Sequence, residues 1–293
     1  MVGALAAMGL AAGPSTAAVR PGTAASAAAA ARAAMSGLLG QHGPGGWGGN
    51  HQATPGAGKV SKIRNLAVLK ATNWGGYVDT TGAPGNYTGV SGNWSQPTVR
   101  CTATNSYAAF WVGMDGMNNA TLEAAGTLGE CYEGVAYYYT WWEMDPNTSV
   151  ELVGSSIRPG DAIAASVTRN GSAFTLSVTD TTHPNIRLAA RRSVLPSNAD
   201  NFVIHQSCVD CPGYTIEWII GQPGPWDSSE GYALSNFDNW TVLNALGRTI
   251  SDQGGISSFP YDEVTMVDPS DTVMIQPTVL QGGGFTDNFE NGM

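Results

Sequence analysis

The stretch Tyr214-Thr215-Ile216-Glu217-Trp218-Ile219-Ile220 has the composition of a β-strand. Its residues are β-branched or aromatic, and it is bounded by Pro212-Gly213 and by Gly221 to Pro225. Successive side chains point to opposite faces, so Tyr214, Ile216, Trp218 and Ile220 share one side and Thr215, Glu217 and Ile219 the other. Both faces are apolar enough to be buried. A carboxylate in the middle of such a strand is costly in its charged form. Burial raises its pKa, which suits a general acid or base. The plain alternative is a Glu facing water from a one-sided strand.

Working outward, strand-like runs recur between turn residues: Trp74 to Val78, Val90 to Val99, Tyr107 to Met114, Thr121 to Gly126, Val135 to Met144, Asp161 to Thr168, Ala173 to Thr179, Trp240 to Ala245, Val264 to Val267 and Val273 to Gln276. Residues 186–195 and 201–205 give shorter apolar runs. Arg169-Asn170-Gly171-Ser172 carries the strongest hairpin signal, Asn-Gly. Roughly a dozen short strands separated by turns predict an all-β fold, a sandwich of two antiparallel sheets. The tail from Gly282 to Met293 is polar and is expected to fray.

Charge divides the chain. Residues 1–70 hold Arg20, Arg32, Lys59, Lys62, Arg64 and Lys70 and no acid, whereas residues 71–293 hold seven arginines against 23 acidic residues, a net −16. So acidic a body repels nucleic acid, which excludes that partner. Its self-repulsion relaxes as carboxylates protonate, as suits a protein that works in acid. Residues 1–18 resemble the tail of a signal peptide, too short to span a membrane. Residues 19–70 read as a propeptide: an Ala-rich helix over Ala24 to Leu39, a Gly/Pro linker over Gly40 to Gly58, then a basic stretch from Lys59 to Lys70. The domain proper is expected at 71–293. The charge contrast suggests an intramolecular inhibitor that grips the body at neutral pH and lets go in acid.

Four cysteines, Cys101, Cys131, Cys208 and Cys211, in a loop-rich β body predict two disulfides and a secreted protein, paired 101–131 and 208–211. The C-x-x-C could instead serve redox or zinc chemistry. Pro212-Gly213 followed by a strand argues against the redox helix, and zinc needs His183 or His205 nearby, so no metal and no other cofactor is expected. Asp79-Thr80-Thr81-Gly82 carries one residue too many for an aspartic-peptidase motif and has no second copy. The chain has no Gly-x-Ser-x-Gly elbow, no His-Glu-x-x-His and no phosphate-binding glycine loop. A hydrolase here would most simply use carboxylates.

Four motifs in order resemble the glutamic peptidases, the eqolisins: Asn73-Trp74-Gly75-Gly76, Phe110-Trp111-Val112-Gly113-Met114-Asp115-Gly116, Thr140-Trp141-Trp142-Glu143-Met144-Asp145-Pro146, and Ile216-Glu217-Trp218-Ile219-Ile220. The resemblance covers about residues 71–280. It implies two seven-stranded antiparallel sheets, a cleft on one concave face, polypeptide substrate, no membrane, a monomer, and a catalytic Glu/Gln pair holding a water. Glu217 matches the Glu. The Gln position, anchored on Gly126, falls on Ala124 in Leu122-Glu123-Ala124-Ala125-Gly126-Thr127. Alanine cannot hydrogen-bond through its side chain, so this copy is expected to be inactive, most simply as an engineered precursor that cannot cleave itself. A natural loss of catalysis is the second possibility. A shifted register with Glu123 facing Glu217 is the third, and alternation argues against it. Trp74, Trp111 and Trp141 match cleft tryptophans, and Asp115 and Glu143 match acidic residues beside the pair; core packing explains each tryptophan equally well. A different class competes: a non-catalytic secreted sandwich that binds peptide or glycan in an aromatic groove.

Overall fold

The computed structural model describes residues 21–39, 65–80, 85–102, 105–117, 119, 121–183, 200–222, 233–234, 236–268 and 270–290. The expected signal segment 1–18, the linker over 40–58 and the run at 186–195 lie outside them. The elements are α1 (Pro21–Leu39), β1 (Asn65–Ala71), β2 (Trp74–Thr80), β3 (Tyr87–Ser95), β4 (Val99–Arg100), β5 (Ser106–Asp115), β6 (Leu122–Tyr132), β7 (Val135–Asp145), β8 (Thr148–Gly154), β9 (Ala162–Asn170), β10 (Ala173–Asp180), β11 (Phe202–Ser207), β12 (Thr215–Gly221), β13 (Ala233–Leu234), β14 (Asn236–Phe237), β15 (Trp240–Thr249), β16 (Gln253–Gly255), β17 (Tyr261–Val267), β18 (Val273–Pro277) and β19 (Phe285–Phe289).

The ladders resolve into two layers. The front sheet runs β8-β7-β6-β5-β12-β2-β17-β1, antiparallel except for the β17–β1 pair, and the two-residue β13 pairs parallel with the start of β5 beyond the end of β12. The back sheet runs β11-β10-β9-β3-β15-β19-β18, antiparallel throughout. β18 also pairs with β17 and joins the layers along one edge. This is the expected sandwich. The front sheet has one strand more than expected, because β1 adds to its edge across the expected 70/71 boundary.

Alternation explains the core. Phe110, Val112, Ala125, Trp142 and Trp218 of the front sheet meet Val90, Trp94, Val167, Phe174, Leu176 and Val242 of the back. Gly92 is what lets Trp218 lie against β3: a Cβ there would stand 3.2 Å from the indole Cδ1. The indole Nε1 then donates to the Ser91 carbonyl at 2.8 Å. Side chains on the other face of the front sheet form a second buried cluster, Trp74, Val78, Trp111, Ala124, Trp141, Leu152 and Ile219, joined by Ala31, Ala34 and Met35 of α1. The helix packs on β6, β7 and β8, so β12 lies in a sheet buried on both faces.

Cys101–Cys131 and Cys208–Cys211 are the disulfides, as expected, with Cα–Cα distances of 5.2 and 5.5 Å. The β9–β10 hairpin turns at Gly171, whose φ of 61° is left-handed. Two expectations need correction. The run Val90 to Val99 is broken, because Gln96-Pro97 ends β3 and the chain resumes at β4. The tail does not fray throughout: β19 pairs with β15 and β18, and Phe285 is buried against Tyr77 and Trp240. Its two phenylalanines outweigh the polar residues around them.

Candidate active site

Glu217 sits on β12 opposite Val78 of β2 and Gly113 of β5. Gly113 pairs with Ala124 of β6, and Ala124 with Glu143 of β7. Directly paired residues share a face, so Val78, Glu217, Gly113, Ala124 and Glu143 form one row on the α1-covered side of the front sheet. Strands lie about 4.8 Å apart, so the Cα atoms of Glu217 and Glu143 are about 14 Å apart with Gly113 and Ala124 between them.

Each member of the row is shaped by its neighbours. A Cβ on Gly113 would stand 2.9 Å from Glu217 Oε1 and 3.1 Å from its Cγ, so the carboxyl lies over the bare glycine. Trp111, two residues back on the same face, donates Nε1–H to Glu217 Oε1 at 2.7 Å. Gly126 faces Trp111 and Trp141 across the ladder. With no side chain between them, the two rings meet edge to face at 5.9 Å. Glu217 Oε2 has no hydrogen-bond partner among the described residues, and neither oxygen of Glu143 has one.

The electrostatics follow from burial. Burial pushes the Glu217 carboxyl up to about 8, partly offset by the Trp111 N–H and reinforced by the nearby Asp115 charge. Burial also raises Glu143 well above the carboxylate range, with Asp145 and Glu217 adding to it. The row is therefore a pair of neutral-favouring acids on either side of an alanine methyl.

The other expected site residues divide. Trp74, Trp111 and Trp141 all fall on this face and are buried. Trp111 holds the Glu217 carboxyl rather than facing open space. Asp115 lies close to Glu217, but its carboxylate accepts from the Gly213 and Tyr214 backbone N–H groups, both at 2.7 Å, and from Asn119 Nδ2 at 2.8 Å. It therefore ties the turn after β5 to the lead-in of β12. Its backbone takes a left-handed φ of 64°. Glu123 points the other way, toward the Cys208–Cys211 disulfide and Asp115. The shifted register thus does not form: Glu123 pairs with Met114, and Ala124 with Gly113. The C-x-x-C sulfurs are bonded to each other, and His183 lies instead beside Asp180 at 3.0 Å.

One residue on this face was not singled out from the sequence. Glu130 lies six residues beyond Ala124 on β6, hence on the same side, in a row with Tyr107 and Tyr137. It is buried, accepts from the Tyr139 hydroxyl at 3.0 Å, and is pushed up to about 8 by burial. The even spacing from Ala124 was the available signal.

Residues 72–286 match the model of the Peptidase A4 family. The chain is 31% identical to scytalidopepsin B of Scytalidium lignicola over 139 residues, which cover 43% of this chain and 49% of that protein, so the match spans about half the length of the relative. Among solved structures it is similar in fold to scytalido-glutamic peptidase with a peptide-based transition-state analog, at 15% identity and a TM-score of 0.58, covering 75% of this chain and 98% of that one. It is similar also to SCP-B, a member of the Eqolisin family of peptidases solved with the tripeptide Ala-Ile-His, at 14% identity and a TM-score of 0.55, covering 75% of this chain and 98% of that one. With its strands laid out as the sequence motifs require and the family model spanning nearly all of the sandwich, the chain belongs to the Peptidase A4 family, the glutamic peptidases.

Proposed function

We propose that the chain is the precursor of a secreted acid endopeptidase in which Glu217 is the general base and Ala124 has replaced its glutamine partner. The observation that carries this is the row itself. Three buried carboxyl oxygens, Glu217 Oε2 and both of Glu143, lack partners on the two sides of Ala124, whose side chain ends at Cβ. Buried polar groups are normally satisfied, and each one left alone costs about 1–3 kcal/mol. A glutamine at 124 would extend a carboxamide between them.

The chemistry follows from these positions. Ionised Glu217 takes a proton from a water as its oxygen bonds to the scissile carbonyl carbon. The glutamine amide donates to the developing oxyanion. Glu217 then returns the proton to the leaving amine as the C–N bond breaks. Removing one oxyanion donor typically costs about 10²–10³ in turnover, which is why the Ala124 chain is expected to be nearly silent toward ordinary peptides.

The leader supports the precursor reading but changes its physics. α1 presents an apolar face, Ala27, Ala31, Ala34 and Met35, of which the last three join the cluster on the front sheet. One ion pair between leader and body is Lys70 to Asp271, 2.7 Å long and well exposed. Such a pair contributes at most about 1 kcal/mol. On this reading the apolar face of α1 acts as a hydrophobic cover alongside any charge attraction. A base pushed up to about 8 is protonated in acid. Lifting α1 would uncover the β6 to β8 side of this face and let water approach the row, which lowers that pKa.

The test is cleavage of a denatured protein across acid pH by the chain and by Ala124→Gln in parallel. Cleavage and leader processing by the glutamine version alone are expected. If neither chain cleaves, Glu217 is not a base and the peptide-binding sandwich becomes the better account.

A further inference from the structure

We propose that Asp161, Asp180 and His183 bind a divalent transition-metal ion of the zinc class, as a structural centre in the back sheet that is independent of the Glu217 row. The expectation of no metal turned on the C-x-x-C, whose sulfurs are bonded to each other. That disulfide lies by the β9–β10 turn, where the Cys208 N–H donates to the Ser172 carbonyl at 2.9 Å. The three donors gather at the opposite, open end of the same hairpin. The Asn170-Gly171 turn folds β10 back on β9, so Asp180 at the end of β10 pairs with Ile163 at the head of β9. Asp161 immediately precedes β9, and His183 follows β10 by three residues.

The argument is one of geometry and bonding capacity. Asp161 Oδ1, Asp180 Oδ2 and His183 Nδ1 all lie within 4.8 Å of one another. Nδ1 is 3.0 Å from Asp180 Oδ2 and 3.5 Å from Asp161 Oδ1. The two carboxylate side chains are 0% and 7% exposed, whereas the imidazole is 45% exposed and leaves a way in. Each carboxylate is aimed by the backbone through its other oxygen. The Arg158 N–H donates to Asp161 Oδ2 at 2.8 Å, and the Thr182 and His183 N–H groups donate to Asp180 Oδ1 at 2.8 and 3.1 Å. This is the outer-shell support that holds metal ligands in place. Neither aspartate pairs with a lysine or arginine among the described residues. Asp161 Oδ1 accepts no hydrogen bond among them, although it is turned toward the imidazole. A protonated Nδ1 carries a single N–H, which goes to Asp180 Oδ2, so a hydrogen bond alone leaves the second buried carboxylate unserved. A cation placed among the three serves them all.

The distances select the ion. Zinc sits about 2.0–2.2 Å from imidazole nitrogen and carboxylate oxygen. Two bonds of about 2.1 Å opened by roughly 90–110° put their donors about 3.0–3.4 Å apart, which is the spacing already present around Nδ1. Calcium and magnesium are poorer fits, since both prefer all-oxygen shells. Binding displaces any proton on Nδ1 and leaves the ring N–H at Nε2. The ion would cross-link the head of β9 to the turn after β10 and so close the hairpin at the end away from Gly171.

The experiment uses the full chain, stripped with a chelator and titrated with zinc chloride at neutral pH by calorimetry, beside Asp161→Asn and His183→Ala. Tm is measured on each with chelator and with zinc, and the imidazole nitrogens are followed by ¹⁵N NMR. The expected result is one zinc per chain, a shift of the His183 Nδ1 resonance on binding, and an affinity at least about 10²-fold weaker in both variants. At a hundredfold excess of zinc over its Kd, the Tm of the unaltered chain should rise by about 5–10 °C, and that of Asp161→Asn should not. Asp161→Asn keeps the shape of the side chain and its Oδ acceptor, so its Tm in chelator shows that it folds, and it decides the matter by itself if His183→Ala does not. Zinc binding that survives both substitutions belongs to other groups, such as His42, His51 or His205, and overturns the inference. Absence of saturable zinc binding by the unaltered chain overturns it as well and leaves His183 as a hydrogen-bonding cap on the turn.

Discussion

Replacing Trp111 by Phe in the Ala124→Gln background isolates one hydrogen bond. The ring position and most of its packing against Trp141 are kept, while the N–H donor 2.7 Å from Glu217 Oε1 is lost. A hydrogen bond to a charged group is worth about 1.5–3 kcal/mol, and it favours the ionised carboxylate over the neutral acid. At 1.36 kcal/mol per unit, the Glu217 pKa should rise by about one to two units. Because the ionised form is the base, the acid limb of the kcat/KM profile should move up in pH by the same amount. The plateau should change far less. The assay is initial-rate cleavage of a quenched peptide over the acid range, with Tm measured on the same samples. A packing defect alone would lower the rate at every pH and lower Tm without moving the limb. An unmoved limb in a folded enzyme would refute the claim that Trp111 holds the base ionised.

Stability should be greatest in acid and fall toward neutrality. Burial raises Glu123, Glu143, Asp79 and Asp287 well above the carboxylate range and Glu130 and Glu217 to about 8. Between the ordinary carboxylate pKa and these raised values the folded chain holds protons that the unfolded chain has released, so each group costs up to about 1.4 kcal/mol per pH unit as pH rises. Even one such group lowers Tm by roughly 3–5 °C per unit, and a Tm that is flat or rising from pH 4 to pH 7 contradicts the burial of these acids. Leader peptide 19–70 added back to a processed Ala124→Gln enzyme should inhibit in acid as well as at neutral pH, because its α1 contact is apolar; inhibition confined to neutral pH would restore the charge clamp. Gly113→Ala in the same background should reduce kcat far more than it raises KM, since the new Cβ meets Glu217 Oε1 at 2.9 Å; unchanged kcat would show that the carboxyl has room elsewhere.

Much of the fold was legible because alternation and turn chemistry are local. Ile216, Glu217 and Trp218 fall on opposite faces from period two alone, and a strand with no polar side implies cover on both. The Asn-Gly hairpin needed only left-handed backbone at Gly171. The cysteine pairings followed from closeness in sequence and a loop-rich body. The β6 register was legible too, once Gly126 was used as an anchor, and it sets Ala124 rather than Glu123 in the row. What failed locally failed for long-range reasons. Gly282 to Met293 reads as a polar tail, but Phe285 is rewarded by Tyr77 and Trp240, residues far away in the chain. Asn65 to Ala71 reads as the end of a basic leader, but the free edge of β17 recruits it as a strand.

The leader shows most plainly what composition cannot supply. Six cations before a body of net −16 make an electrostatic grip the natural expectation. Charge counts, however, do not say which face docks. In α1 the alanines at 27, 31 and 34 lie at spacings of four and three, which places them along one side of the helix, and it is this side with Met35 that is buried against the front sheet. Small side chains let the helix backbone come close to a floor already filled by Trp111, Trp141 and Leu152. Arg32, between them in sequence, lies on the exposed side. A cover of this kind seals carboxyls best when they are neutral, since ionising them beneath an alanine face means burying charge. If α1 is the inhibitory cover proposed above, acid alone should not lift it, and release should need a cut between α1 and β1, after which the helix would be held by its own small apolar face without the help of chain connectivity.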